Sequence, residues 1–163
     1  MADRIRMRIS AQVESVPLVN EIVEFTPPEV QTKTVANDGQ FVASEDVVGI
    51  EALKWTLKVR GDHGKIKAAI GRYLMGNAQI NVAEKGKTTE NVPYSVEHSL
   101  FGPITSVKAD PYKHGEKPTV TIEGTCKAWK ETDTGKVVND IDTRTGKTIV
   151  GSHDLMGDAA ITL

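Results

Sequence analysis

The sequence is poor in cysteine, in aromatic side chains and in net charge, and each shortage closes off a class of function. Cys126 is the single cysteine among 163 residues. No internal disulfide can form, and no cysteine zinc site can be assembled. Such a chain suits a reducing compartment, or one where disulfides are not needed. Aromatics make up 5% of the residues, which leaves the core to Val, Ile and Leu. Lys and Arg number 20 against 22 Asp and Glu, a formal net charge of −2. That balance excludes a strongly basic binder that grips phosphates. No apolar run approaches the roughly 20 residues that span a bilayer. The opening Met1-Ala2-Asp3-Arg4-Ile5-Arg6 has no apolar signal-peptide core behind its charges. The expectation is a soluble product made in the cytoplasm, folded as a single domain over residues 1–163.

Chemistry-bearing patterns are equally scarce. No two of His63, His98, His114 and His153 lie three or four residues apart, so no helix presents a metal-binding pair. His98 shares the parity of Tyr94 and Val96 and reads as a satisfied, part-buried histidine. Asp140 and Asp142 share a strand face and could meet a cation, but the calcium-loop spacing is missing and a solvated acidic face is the simpler reading. Glu131 and Asp133 read the same way. Cys126 falls mid-strand on an apolar face, where a buried inert thiol is the default. Gly61-Asp62-His63-Gly64-Lys65 lacks the spacing and the Lys-Ser/Thr ending of a phosphate loop. Ser10, Ser44 and Ser152 lack the glycine elbow of a nucleophile. The expectation is a protein that is not an enzyme and carries no cofactor or metal.

What the chain has in abundance is alternation. Ile5, Met7, Ile9, Ala11 and Val13 share one parity and Arg4, Arg6, Arg8, Ser10, Gln12 and Glu14 the other, the two-residue period of a half-buried strand. Leu53, Trp55, Leu57 and Val59 repeat the pattern. So do Val120, Ile122, Gly124, Cys126 and Ala128, within a long strand from Lys117 to Trp129. Further strands are expected at Asn20–Phe25, around Ile80 and Val82, from Val92 to His98, and in a C-terminal meander turned at Asp133-Thr134-Gly135-Lys136 and Thr145-Gly146-Lys147. Glu29–Val35 is a further possible strand. One helix is expected over about Lys65–Met75, with Ile66, Ala69, Ile70, Tyr73 and Leu74 on its apolar stripe, Asp62 as N-cap and Gly76-Asn77 as stop. Residues 36–50 sustain no period and read as an extended loop. Its Phe41, Val42, Val47 and Val48 would want a partner.

Two stretches carry a resemblance. The first runs from Val23-Glu24-Phe25-Thr26-Pro27-Pro28 through the polar loop to Gly49-Ile50-Glu51-Ala52-Leu53-Lys54-Trp55-Thr56-Leu57. The second is the long strand with mid-strand Cys126, followed by Lys136-Val137-Val138-Asn139-Asp140-Ile141-Asp142-Thr143. Taken in this order, they resemble the major tail tube protein of contractile-tailed phages, the tube family shared with R-type bacteriocins. The resemblance implies a mainly β fold of two packed antiparallel sheets with one flanking α-helix. It implies hexameric rings whose inner wall is a β-barrel, stacked into a tube inside the virion tail and assembled in the host cytoplasm. Implied partners are further copies of the chain, the tail sheath protein, and baseplate and tail terminator proteins. DNA would pass through without specific binding, and the chain itself would not bind the host membrane.

Two surfaces follow as expectations. The loop at 36–50, with Phe41, Val42, Val47 and Val48, would join subunits. The polar parity Thr119, Thr121, Glu123, Thr125 and Lys127 would line the lumen, because a conduit should avoid gripping phosphate. The alternatives are a tube subunit of an R-type bacteriocin or other contractile injection system, or, from a different class, a small ligand-binding β-barrel. The low aromatic content argues against the last.

Overall fold

The computed structural model describes residues 2–14, 16–19, 22–61, 63–74 and 76–156. Its strands are β1 (Arg4–Val13), β2 (Val16–Val19), β3 (Ile22–Thr26), β4 (Thr32–Asn37), β5 (Ser44–Ile50) and β6 (Leu53–Arg60). After helix α1 (His63–Ile70) and a 3-10 turn (Gly71–Tyr73) come β7 (Asn77–Thr88), β8 (Pro93–Ala109), β9 (Thr119–Cys126), β10 (Ala128–Asp133), β11 (Lys136–Asp142), β12 (Lys147–Val150) and β13 (His153–Asp154). The proposed cap Asp62 and the helix end Met75 lie outside the described residues.

Two antiparallel layers enclose one core. The larger has the order β13-β12-β11-β10-β8-β7-β1-β2, and the smaller the order β3-β6-β9-β8. Strand β8 belongs to both. Pro93–Pro103 pairs with β7, and Ile104–Ala109 pairs with β9. The expected long strand Lys117–Trp129 is therefore two strands. β9 follows the smaller layer to Cys126, the chain bends at Lys127, and β10 enters the larger layer at Ala128. The Lys127 N–H donates to the Phe101 carbonyl at 2.6 Å, holding the corner where the layers part.

The alternation read in the sequence sorts side chains as expected on β6 and β9. Leu53, Trp55, Leu57 and Val59 face inward, as do Val120, Ile122 and Cys126. They meet Val13, Ile80, Val82, Leu100, Trp129 and Ile141 of the larger layer, with Ile66 and Ile70 of α1. Each fully buried Leu or Ile of this set contributes about 1.5–3 kcal/mol of transfer free energy. The inner face tolerates no extra atom at Gly124. A Cβ there would lie 2.6 Å from the Trp55 indole and 2.9 Å from the Pro103 carbonyl oxygen.

Strand β1 departs from its sequence pattern. Arg6 pairs with Gly86 and Arg8 with Lys85, so Met7 is an extra residue in a β-bulge. A bulge of one residue flips every side chain beyond it to the other face. Ile9, Ala11 and Val13 face the core, but Ile5 and Met7 are 54% and 66% exposed. Arg4 and Arg6 take the inner side in their place. Gly86 makes room for the bulge, since a Cβ there would fall on the Ile5 carbonyl oxygen and within 2.9 Å of the Tyr94 ring.

Candidate assembly surfaces

The stretch expected to be a long loop is mostly a β-hairpin arm. β4 and β5 pair only with each other, from Thr32 opposite Ile50 to Asn37 opposite Ser44. Only 38–43 form the tip. The sequence showed no period here because neither face of the arm is buried, so nothing selects apolar residues at every second position. A bulge at Val48 shifts the parity further. Every residue from Thr32 to Gly49 is exposed except half-buried Asn37. Phe41 and Val42 sit in the tip and Val47 and Val48 on β5, all four fully or largely exposed. At the root, Val30 and Ile50 pack against the core, and the Glu51 N–H donates to the Gln31 carbonyl at 2.7 Å. The arm is anchored at its base and free along its length.

The polar parity of β9 lies on the outer face of the smaller layer. Thr119, Thr121, Glu123 and Thr125 stand opposite Arg60, Lys58, Thr56 and Lys54 of β6. Lys127 is not on this strand; it occupies the corner between β9 and β10. Thr119 and Thr121 donate their hydroxyls to the Asp110 carboxylate at 2.6 and 2.7 Å, and Lys58 lies 3.5 Å from it. These hydroxyls, with Lys58, hold the Asp110 carboxyl below its ordinary value. The face is thus a mixed polar surface on which, among the described residues, Lys58 is ion-paired while Lys54, Arg60 and Glu123 are not.

A third feature, a polar network at one end of the sandwich, is absent from the sequence reading. Past the bulge, Arg6 meets Glu84 at 2.8 Å, and the Tyr94 hydroxyl donates to Glu84 at 2.9 Å. Burial pushes the Glu84 carboxyl up, but the hydrogen bonds from Arg6 and Tyr94 outweigh it and hold it below its usual range. Arg4 donates twice to Asp133, at 2.9 and 3.1 Å, and covers the Tyr94 ring. Deeper in, His98 is 7% exposed. Its Nδ1 accepts from the Trp129 indole at 3.3 Å, and its Nε2 stands 4.0 Å from Glu131. The Phe25 ring meets it edge-on. Burial lowers the imidazole's affinity for a proton, against the pull of Glu131 and Glu84. Asn139 donates to Glu131 and receives the Gly151 N–H. The network cross-links β1, β7, β8, β10 and β11, a structural task. Sequence reading missed it because Arg4 and Arg6 sit at outward parity until the bulge is known.

The acidic residues singled out from sequence are engaged by neighbouring cations. Asp140 pairs with Lys147 at 2.9 Å and Asp142 with Arg144 at 3.1 Å. Cys126 is buried, and burial pushes its thiol up to about 12.

The chain thus combines a two-layer β sandwich, a projecting arm and one short helix. A model of the phage tail tube protein FII family matches residues 7–161. The chain belongs to this family. It is a structural subunit of a tail tube and a component of the virion tail. The fold of this tube protein is similar to chains of an extracellular contractile injection system, PVC. In the extended sheath–tube complex the TM-score is 0.52 at 10% identity, covering 77% of this chain and 88% of that one. In the PVC sheath/tube terminator it is 0.55 at 10% identity, covering 77% and 93%. A chain of the anti-feeding prophage (AFP) baseplate gives 0.54 at 7% identity, covering 81% and 97%. At such identities the likeness is one of fold. No curated protein sequence matches the chain.

Proposed function

We propose that six copies of this tube protein close into a ring, and that rings stack into the conduit through which DNA leaves a contractile phage tail. The observation that carries the reading is the pair of open edges on the smaller layer. Among the described residues β3 pairs only with β6, and the Ile104–Ala109 half of β8 pairs only with β9. Unpaired edges invite pairing with another chain, and joining β3 of one copy to β8 of the next closes the smaller layers into a continuous ring. The arm, with Phe41, Val42, Val47 and Val48 exposed, supplies contacts between copies. The outer face of β9 then lines the lumen with Thr119, Thr121, Glu123 and Thr125, and Lys127 borders it at the corner. The threonines and Glu123 between its cations limit the grip on passing phosphates. Sheath, baseplate and terminator proteins are the remaining partners, and the role is that of a wall with no catalysis. The fold's likeness to contractile injection system chains also favours a second reading, the tube of such a device; a neighbouring set of capsid genes separates the two.

Cryo-electron microscopy of the assembled protein tests the reading. Six-fold rings with β3 beside β8 of the next copy and the β9 face on the channel are expected. Thr121 and Glu123 on the outside wall would sink the lumen assignment, and a different joined edge would sink the closure.

A further inference from the structure

The arm and one patch of the body are complementary in charge and both expose apolar groups. Between Glu29 and Glu51 the arm and its roots carry Glu29, Asp38, Glu45, Asp46 and Glu51 against the single cation Lys33. Among the described residues none of these carboxylates meets a cation. Glu45 accepts from Thr34 and Asp46 from Asn37, neutral donors that leave the negative charge in place. The rest of the chain therefore carries a net positive charge.

That charge is not spread evenly. On the outer face of β1 and β7, on either side of the bulge, Arg8 stands opposite Lys85 and Ile5 opposite Lys87. All four are exposed, together with Met7. Among the described residues no carboxylate lies within ion-pair distance of Arg8, Lys85 or Lys87, unlike Arg4 and Arg6 on the inner side. The other basic regions are diluted. The β6 face interleaves its lysines with Thr56, Glu24 and Glu123, and the 110–118 loop mixes Lys113 and Lys117 with Asp110 and Glu116. Among the described residues this patch joins three cations that have no ion pair to the exposed apolar side chains of Ile5 and Met7, and the bulge turns Ile5 onto the face of Arg8, Lys85 and Lys87.

We infer that the acidic arm of one copy docks on the basic β1–β7 patch of another, with Phe41 or Val42 against Ile5 and Met7 and the arm carboxylates near Arg8, Lys85 and Lys87. The inference rests on the tube reading and names the surface that receives the arm. The arm is long enough: six strand residues and a tip reach roughly 20 Å from the body. Opposite charges select the partner and the register, while the apolar contacts add the burial.

The test is a charge swap read by sedimentation and negative-stain microscopy of the full chain. Glu45→Lys with Asp46→Lys reverses the arm; Lys85→Glu with Lys87→Glu reverses the patch. Each reversal alone should raise the concentration needed for assembly roughly tenfold or more. Both reversals in one chain should restore assembly. Phe41→Cys with Met7→Cys should give a ladder of chain-to-chain disulfides, and buried Cys126 stays out of it. Tubes that form normally from either reversed variant overturn the docking and leave the tube reading intact. So does loss in both without rescue in the combination. Patch-reversed tubes that assemble but lose binding to double-stranded DNA give the patch to nucleic acid and overturn the docking. A wild-type chain that stays monomeric under these conditions overturns the tube reading and the docking with it.

Discussion

Acidification acts on this protein through His98, and the effect can be worked out from its partners. The imidazole accepts the Trp129 indole N–H at Nδ1. A protonated imidazole carries a hydrogen on both nitrogens and can no longer accept. Taking up a proton therefore strands a buried indole donor and puts a charge in the core. Burial already holds the folded-state value below the ordinary 6.5, with Glu131 and Glu84 opposing. The sign follows. Well above pH 6.5 the ring is neutral in both states and the group has no effect. As pH falls below that value the unfolded chain binds the proton first, and stability drops by up to about 1.4 kcal/mol per pH unit until the folded-state value is reached. The melting temperature therefore falls as the pH passes below about 6.5, by no more than about 3–6 °C per pH unit for a chain of this size. The Asp110 and Glu84 carboxyls, held below their ordinary 3.8 and 4.5, titrate below that window. The assay is thermal unfolding followed by the fluorescence of buried Trp55 and Trp129, for the wild type and for His98→Gln, whose amide oxygen can accept the same indole hydrogen. On acidification the melting temperature of the wild type should fall further than that of the variant. Equal losses in the two proteins would refute the argument.

Two further outcomes follow from packing. Gly124→Ala drives a methyl into the Trp55 ring and the Pro103 carbonyl, and should cost about 1–3 kcal/mol in a denaturant titration; Gly39→Ala, in open space but at φ 89° on the exposed arm tip, should leave the core's unfolding midpoint nearer the wild type. Cys126, pushed up to about 12 by burial, should react with iodoacetamide at mildly alkaline pH roughly 100-fold more slowly in the folded protein than in urea. Fast labelling of the folded chain would show that the thiol is not held in the core.

The inner face was legible wherever one side of a strand is buried along its whole length. Leu53–Val59 and Val120–Cys126 alternate because water lies on one side and the other layer on the opposite one. Legibility failed where that asymmetry stops. The arm alternates nowhere because both its faces see solvent. β1 alternates in the sequence through Ile5 and Met7, yet the bulge reverses its sense, and the sign of a bulge lies in Gly86 on a partner strand some eighty positions away. The split at Lys127 was hidden because Cys126 and Trp129 are both inward-facing although they belong to different layers. Of the proposed surfaces, the four apolar arm residues are exposed as their sequence context implied, while Lys127 left the strand it was read on. The Arg6–Glu84–Tyr94 and His98–Trp129 contacts could not be read, since they join residues distant in sequence.

Strand β8 has a mechanical consequence. Its 17 residues run without a break through both layers, a length of roughly 55 Å. The layers cannot slide past one another along this line unless a covalent chain stretches or its ladders to β7, β10 and β9 shear together. Load applied along β8 is shared by the rows of hydrogen bonds to β7 and β10 over its first part and carried by the row to β9 over its second, whereas load across it would peel the bonds one at a time. The subunit is therefore stiffest along one direction, set by a single strand.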